Sequence, residues 1–290
     1  MPLVLLSIIW GIAFVAVKAL EPMLTPVNLT LLRWFAASAG FLVLAPFLGK
    51  LKNKFERRDL PRFLLVSLAN VVTYHLALNY SESTISAGLA VMFVALGPVF
   101  IVLLSRAFLG ERPGKLITLS VALALFGGFV LYVGSQYSGS YSLPGILESL
   151  GSAVSYSVFA VFSKPLVHKC GAIPFTIWTG LIGTAMLLPL LSGSFILQVT
   201  ALPVDGWIAI LYLSLLSTVL GYVMFYTLVG RGMVSKLSIQ LYLIPVVAVI
   251  GGVLILGETV TVFTIAGGAA MLLSVGLATN DPIVKEKAAN

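Results

Sequence analysis

Ten apolar runs, each about 20 residues long, follow one another along the chain with little between them. They cover roughly 2–20, 27–49, 61–80, 84–109, 115–134, 143–167, 173–192, 205–228, 233–256 and 260–279. Inside a bilayer every backbone N–H and C=O must be satisfied within the protein, which leaves helices and closed barrels. These runs are too long and too unalternating for barrel strands, so the expected fold is all-α and membrane-spanning. With 59% hydrophobic and 9% charged residues and a mean hydropathy of +1.09, too little polar surface remains for a soluble fold of 290 residues. Connections are short and leave no room for a soluble domain; the longest basic one is KLKNKFERRDLPR, after the second run.

The net charge of +7 would suit a nucleic-acid partner, but its distribution fits membrane loops better. With the N-terminus in the cytoplasm, fifteen of the 17 Lys and Arg residues fall on the cytoplasmic side, and Lys18 and Arg33 alone fall outside. The expectation is therefore an integral protein of a prokaryotic plasma (inner) membrane, with both termini cytoplasmic. The first run has no basic segment before it, and Lys18 follows it, so it reads as a span and not a cleaved signal. The single cysteine, Cys170, excludes an internal disulfide.

The chain repeats itself. GPVFIVLLSRAFLGE carries Pro98, Gly110 and Glu111, and IPVVAVIGGVLILGE carries Pro245, Gly257 and Glu258 at an offset of 147. Trp10 and Lys18 of span one match Tyr156 and Lys164 of span six, and Ser7 and Gly11 match Ala153 and Ser157. Spans five and ten carry small residues four apart, Ser120, Ala124 and Gly128 against Ala266, Ala270 and Ser274, a spacing that lets helices approach closely in lipid. Matched spans lie five apart, an odd number, so the two halves must cross the bilayer in opposite directions. The expected organisation is a first five-helix repeat over 1–134, a linker over 135–142, an inverted second repeat over 143–279 and a cytoplasmic tail over 280–290. Inverted repeats around a central cavity give two nearly equivalent states, one open to each side.

On these residues the chain resembles the drug/metabolite transporter superfamily, and within it the EamA-type exporters. The resemblance rests on five plus five spans, the Trp10-Gly11 pair, Leu32-Arg33-Trp34 early in span two, and a proline followed by Gly-Glu closing spans four and nine. It covers essentially the whole chain. It implies a cavity lined mainly by spans one, three, four, six, eight and nine, and export of amino acids and related metabolites. One departure is that span six has Tyr156 where span one has Trp10.

Several residues are candidates for function. Pro98 and Pro245 supply no N–H, so the carbonyls of Val94 and Leu241 lose their helical partners; each proline is either a hinge beside the cavity or a static kink. Glu111 and Glu258 end their helices at the water boundary, as helix-end anchors or coupling acids. Arg33 lies about 9 Å into span two at 1.5 Å per residue, either snorkelling to the outer headgroups or binding a substrate carboxylate. Tyr74, His75, Asn79 and Tyr80 cluster near the outer end of span three; His75 could sense protons, and the tyrosines could belong to an interfacial belt. Gln240 is packing glue or a substrate contact. Trp10, Phe14, Phe93, Tyr156 and Tyr222 would supply aromatic cavity walls, or ordinary packing. His168 and Cys170 alone do not make a metal site.

The function expected is a secondary active transporter exporting small neutral or zwitterionic metabolites such as amino acids. No Walker A loop occurs, so ATP is not used directly, and no cofactor, metal or nucleic acid is expected. The lipid bilayer and a small-molecule substrate are the expected partners, for a monomer or homodimer. The shortage of buried charge argues against cargo such as sugar nucleotides. An intramembrane enzyme acting on a lipid-like substrate would need clustered or paired acids, and a solute channel would need rings of polar side chains.

Overall fold

A computed structural model describes residues 2–45, 56–109, 115–137, 142–230 and 234–279, and all regular structure among them is helical. The helices are α1 (Pro2–Leu20), α2 (Pro26–Leu44), α3 (Arg57–Glu82), α4 (Ala87–Val94), α5 (Gly97–Leu109) and α6 (Lys115–Tyr137). They continue as α7 (Leu143–Cys170), α8 (Ala172–Leu187), α9 (Gly193–Thr200), α10 (204–230), α11 (Val234–Leu256) and α12 (Val262–Thr279). Among the described residues, seven helices are long and apolar enough to cross a membrane. Shorter apolar helices at Ala87–Ile101, Leu243–Leu256 and Val262–Leu277 stand at the fourth, ninth and tenth apolar runs. Phe126 and Phe129 on α6, Leu254 and Ile255 on α11 and Ile265 on α12 are exposed, a coat suited to lipid and unsuited to water.

Helix starts follow local capping chemistry. The Ser142 hydroxyl accepts from Gly145 N at 3.2 Å to open α7, with Pro144 in the first turn where its missing N–H is harmless. Thr25 likewise precedes Pro26 at the start of α2. The surface helix α9 has no counterpart among the ten apolar runs. Its Gln198 and Ser194 accept from the Asn28 amide at 2.7 and 3.2 Å, which ties α9 to the start of α2.

The packing comes in matched pairs. α1 packs on α11, and α4 and α5 pack on α7; α2 packs on α10, and α3 on α8. α2 also meets α8, and α6 runs along α12. At Gly11 of α1 an added Cβ would lie 2.6 Å from Val247 Cβ and 3.0 Å from the Ile244 carbonyl. At the matched position of α7, the Ser157 hydroxyl donates to the Gly97 carbonyl at 2.9 Å. In each case a carbonyl just before a proline is approached, Ile244 before Pro245 and Gly97 before Pro98. Between α6 and α12 the closest approach is at Gly127, whose Cβ would lie 2.8 Å from the Gly267 carbonyl. Ser120, Ala124, Ala270 and Ser274 are buried while Ala266 is exposed, so these small-residue faces are occupied within the chain.

The two matched prolines differ. α4 ends at Val94 and α5 begins at Gly97, so Pro98 stands in the first turn of a new helix and not inside a continuous one. There a missing N–H takes nothing from the ladder, and the bend is a break at residues 95–96. Pro245 lies inside the unbroken α11, as Pro165 does inside α7.

Gly183 of α8 lies directly against Val71 of α3. A Cβ there would fall inside Val71, a fully buried β-branched side chain with no free rotamer to move to. Gly183→Ala is expected to destabilise the fold by about 1–3 kcal/mol, read as earlier thermal loss of the monodisperse chromatography peak in detergent.

The ion pairs among the described residues sit at the bundle's two ends. At one end Lys169 bonds Asp59 at 2.5 Å and Glu56 at 3.0 Å, and Arg58 bonds Glu56 at 2.6 Å. The Lys169 ammonium holds the Glu56 carboxyl below its ordinary range. At the other end Lys18 donates to the Glu82 carbonyl at 2.6 Å and pairs with Glu21 at 3.4 Å.

Candidate functional site

Two helices leave α-geometry in the middle of the bundle. Residues Leu68–Tyr74 of α3 and Tyr212–Leu220 of α10 form π-helix, at nearly the positions that the repeat equates. The wider turn interrupts the i→i−4 ladder and frees carbonyls, and such segments favour functional sites. Side chains take the freed acceptors. Thr73 Oγ1 donates to Leu68 O at 3.1 Å, and His75 Nδ1 bonds Asn70 O at 2.8 Å. Thr218 Oγ1 donates to Leu213 O at 2.8 Å, and Trp10 Nε1 donates to Ser217 O at 3.0 Å.

Arg33 reaches this region from α2. It is 6% exposed, its Nε donates to Thr218 Oγ1 at 3.2 Å, and its Nη2 lies 3.5 Å from Ser217 Oγ. The sequence-based alternative of snorkelling to the headgroups is therefore corrected: the guanidinium turns inward, where the π-turn presents two hydroxyls. Among the described residues no carboxylate lies within ion-pair distance of it.

Aromatic rings and one histidine surround the guanidinium's neighbourhood. His75 is 1% exposed, inside the bundle and not at an interfacial belt. Because a carbonyl can only accept, its bond to Asn70 O places the proton on Nδ1. His75 packs edge-on against Trp34 at 5.1 Å and Tyr74 at 4.8 Å, and Tyr74 lies 6.1 Å from Tyr156. Trp10 lies 6.1 Å from Tyr222 and 5.5 Å from Phe225. Gly221 permits this, since a Cβ there would stand 2.7 Å from Trp10 Nε1. Tyr80, by contrast, is exposed.

A small space of about 10 Å³, room for about one water molecule, opens beside these groups, lined by Trp34, Asn70, Phe175, Thr176, Thr179 and Tyr222 among others. Asn70 Nδ2 donates to the Tyr222 hydroxyl at 3.2 Å across it. Trp34 Nε1 and Thr179 Oγ1, both buried, have no hydrogen-bond partner among the described residues. An unspent buried donor is costly, so these two groups mark the space as polar and under-filled in this closed arrangement.

Other sequence candidates lie elsewhere. Phe14 and Phe93 sink into the apolar core with Leu131 and Met271, and are packing residues and not pocket walls. Asn79 donates to Thr30 Oγ1 at 2.8 Å and fastens α3 to α2. The Glu258 carboxylate accepts from Ala87 N at 2.7 Å and Gly88 N at 3.2 Å, at the start of α4. Glu111 and the side chains of Gln240 and Pro98 lie outside the described residues. The sequence reading missed Trp34, Asn70 and Thr179 as pocket residues and passed over Glu82. Polar residues inside an apolar run were the available signal, but hydropathy does not say which face of a lipid-embedded helix points inward. Among the described residues no three His, Cys, Asp or Glu side chains cluster as a metal site would require.

Comparison with known proteins bears on the whole bundle. The model of the EamA-like transporter family matches residues 2–133 and 143–280. An uncharacterized transporter of Archaeoglobus fulgidus is 32% identical over 92% of this chain and 93% of its own length. A probable terminal-alkyne amino-acid exporter of Streptantibioticus cattleyicolor is 31% identical, covering 95% of this chain and 91% of its own. A probable amino-acid metabolite efflux pump of Escherichia coli is 28% identical over 95% and 92%. One solved structure superposes with a TM-score of 0.64 at 18% identity, over 95% of this chain and 94% of that one, a likeness of fold alone. The chain belongs to the EamA-like transporter family, a family of integral membrane transporters.

Proposed function

We propose that this chain is a secondary active transporter that exports small neutral or zwitterionic metabolites such as amino acids by alternating access. It is built as ten spans in two inverted five-helix repeats, with both termini in the cytoplasm of a prokaryotic cell. The observation that carries the substrate class is Arg33: a buried guanidinium bonded only to neutral hydroxyls among the described residues, with no carboxylate within ion-pair distance. A substrate carboxylate completes that charge, while Trp34 and Thr179 meet its remaining polar atoms. The names of the exporter and the efflux pump among its relatives point to the same class.

The packing supports two equivalent halves, and the odd number of spans in each is what inverts one against the other. Exchanging each span with the one five places on turns the α1–α11 contact into the α7–α4/α5 contact, and α2–α10 into α8–α3. The α6–α12 and α2–α8 contacts map onto themselves, as they should. Cysteine labelling beside Glu111 and beside Glu258 tests this: the two corners react from opposite sides of the membrane, and reaction from one side rejects the inverted repeat.

Counterflow of labelled amino acids in proteoliposomes tests the transport reading, with saturation separating a carrier from a channel. Trp34→Phe keeps the ring against His75 but removes the Nε1 donor. It is expected to weaken substrate binding by about 0.5–1.5 kcal/mol, read as a raised KM in counterflow at unchanged protein yield.

A further inference from the structure

The end of α3 holds a carboxyl group that the transport reading does not use. Glu82, the last residue of α3, is 0% exposed, and neither Oε1 nor Oε2 has a hydrogen-bond partner among the described residues. The charged groups that face it are Lys18 of α1, Arg33 of α2 and Glu258 of the turn after α11, with the Tyr74 hydroxyl on α3 itself. Each charge is directed elsewhere. Lys18 Nζ donates to the Glu82 backbone carbonyl at 2.6 Å and pairs with Glu21 at 3.4 Å. Glu258 accepts from the Ala87 and Gly88 amides, and Arg33 bonds Thr218 and Ser217. From α7, Ser149 meets Ser81, and the adjacent Glu148 has its own Oε2 without a partner. α4 offers no charged side chain at all.

An ionised carboxylate placed there has neither water nor a donor, and such a charge inside a membrane protein is neutralised or expelled. We propose that Glu82 is a proton-binding site: the carboxyl carries a proton in this closed arrangement and gives it up to the aqueous side toward which α1, α3 and α7 open. Lys18 is the ready counter-ion once that proton has left, since its ammonium already lies against the Glu82 backbone. Reburying Glu82 ionised would require Lys18 to leave the Glu82 carbonyl and Glu21 for the carboxylate, so return to this closed arrangement takes up a proton. Solute and proton movement are thereby linked through one conformational cycle. This rests on the alternating-access reading above.

Infrared titration of the full chain in lipid tests the proton directly, without any substrate. The wild type is expected to show the carbonyl stretch of a protonated carboxyl at neutral pH, lost in Glu82→Gln and shifted in frequency in Glu82→Asp. Identical spectra in that region for wild type and Glu82→Gln overturn the proposal. In proteoliposomes, a mixture of labelled neutral amino acids is followed both in counterflow and under an imposed pH gradient. The ratio of gradient-driven accumulation to counterflow collapses in Glu82→Gln if Glu82 couples the proton, and an unchanged ratio overturns the coupling. A wild type without counterflow counts against amino-acid export, and the infrared difference then decides the site by itself.

Discussion

Arg33→Gln is expected to abolish most carboxylate-dependent transport while leaving the protein folded. Removing one partner of a buried, hydrogen-bonded charge pair typically costs about 2–5 kcal/mol, roughly 30-fold to several-thousand-fold in kcat/KM. The bound substrate's carboxylate would be left facing Thr218 and Ser217, two hydroxyls that can share its charge but not neutralise it. Stability should not fall with it, because replacing a buried charge that has no opposite partner removes a desolvation burden. Arg33→Lys keeps the charge but loses the planar fork, so its activity should lie between wild type and Arg33→Gln. Counterflow kinetics on the three proteins, with thermal unfolding as the control, gives the answer. Wild-type kinetics in Arg33→Gln would mean that the guanidinium serves packing alone.

Glu258→Ala should produce the largest loss of stability among single changes at the bundle's ends. The first N–H groups of any helix lack partners within it. In α4, Ser86 Oγ accepts from Leu89 N at 3.2 Å, while Glu258 takes Ala87 N at 2.7 Å and Gly88 N at 3.2 Å. Each bond to a charged acceptor is worth about 1.5–3 kcal/mol, and the carboxylate also sits at the positive end of the helix dipole. Gly257, at φ +67°, makes the turn that aims the carboxylate, and Glu258 N bonds back to Gly252 O at 3.0 Å. Glu258→Gln keeps one acceptor oxygen without the charge and should lose about half as much. Unfolding temperatures in detergent measure both, and an Ala variant as stable as wild type would show that water caps α4 equally well.

The expectations from the sequence separated cleanly by kind. The membrane class and helical character follow from apolar length alone, because lipid imposes a backbone requirement that a one-dimensional count can read. The recurring pattern of Pro98 with Glu111 and Pro245 with Glu258 is legible because residue spacing can be read without any structure. Yet equal prolines gave unequal geometry: residues 95–96 break the helix before Pro98, while α11 runs through Pro245. A proline removes a donor wherever it stands; whether the ladder bends or restarts depends on the neighbours it packs against. For the same reason α9 was missed, being too short to register as an apolar run and held by Asn28 from another helix.

The site was legible in part. Arg33, Trp10, Tyr74, His75, Tyr156 and Tyr222 stood out as polar or aromatic residues in apolar runs, and they do gather around the two π-turns. Phe14 and Phe93 were equally eligible and went to the core. Sequence alone determined the membrane solvent, the helical character and the family, because each is written in residue order or in apolar length. The tertiary structure decided which way Arg33 points, which donors stay unspent around the pocket, and that Glu82 is sealed from water. In lipid both faces of a helix are apolar, so no periodicity marks the inward one, and only the packing of α2, α3, α7, α8 and α10 against each other selects it.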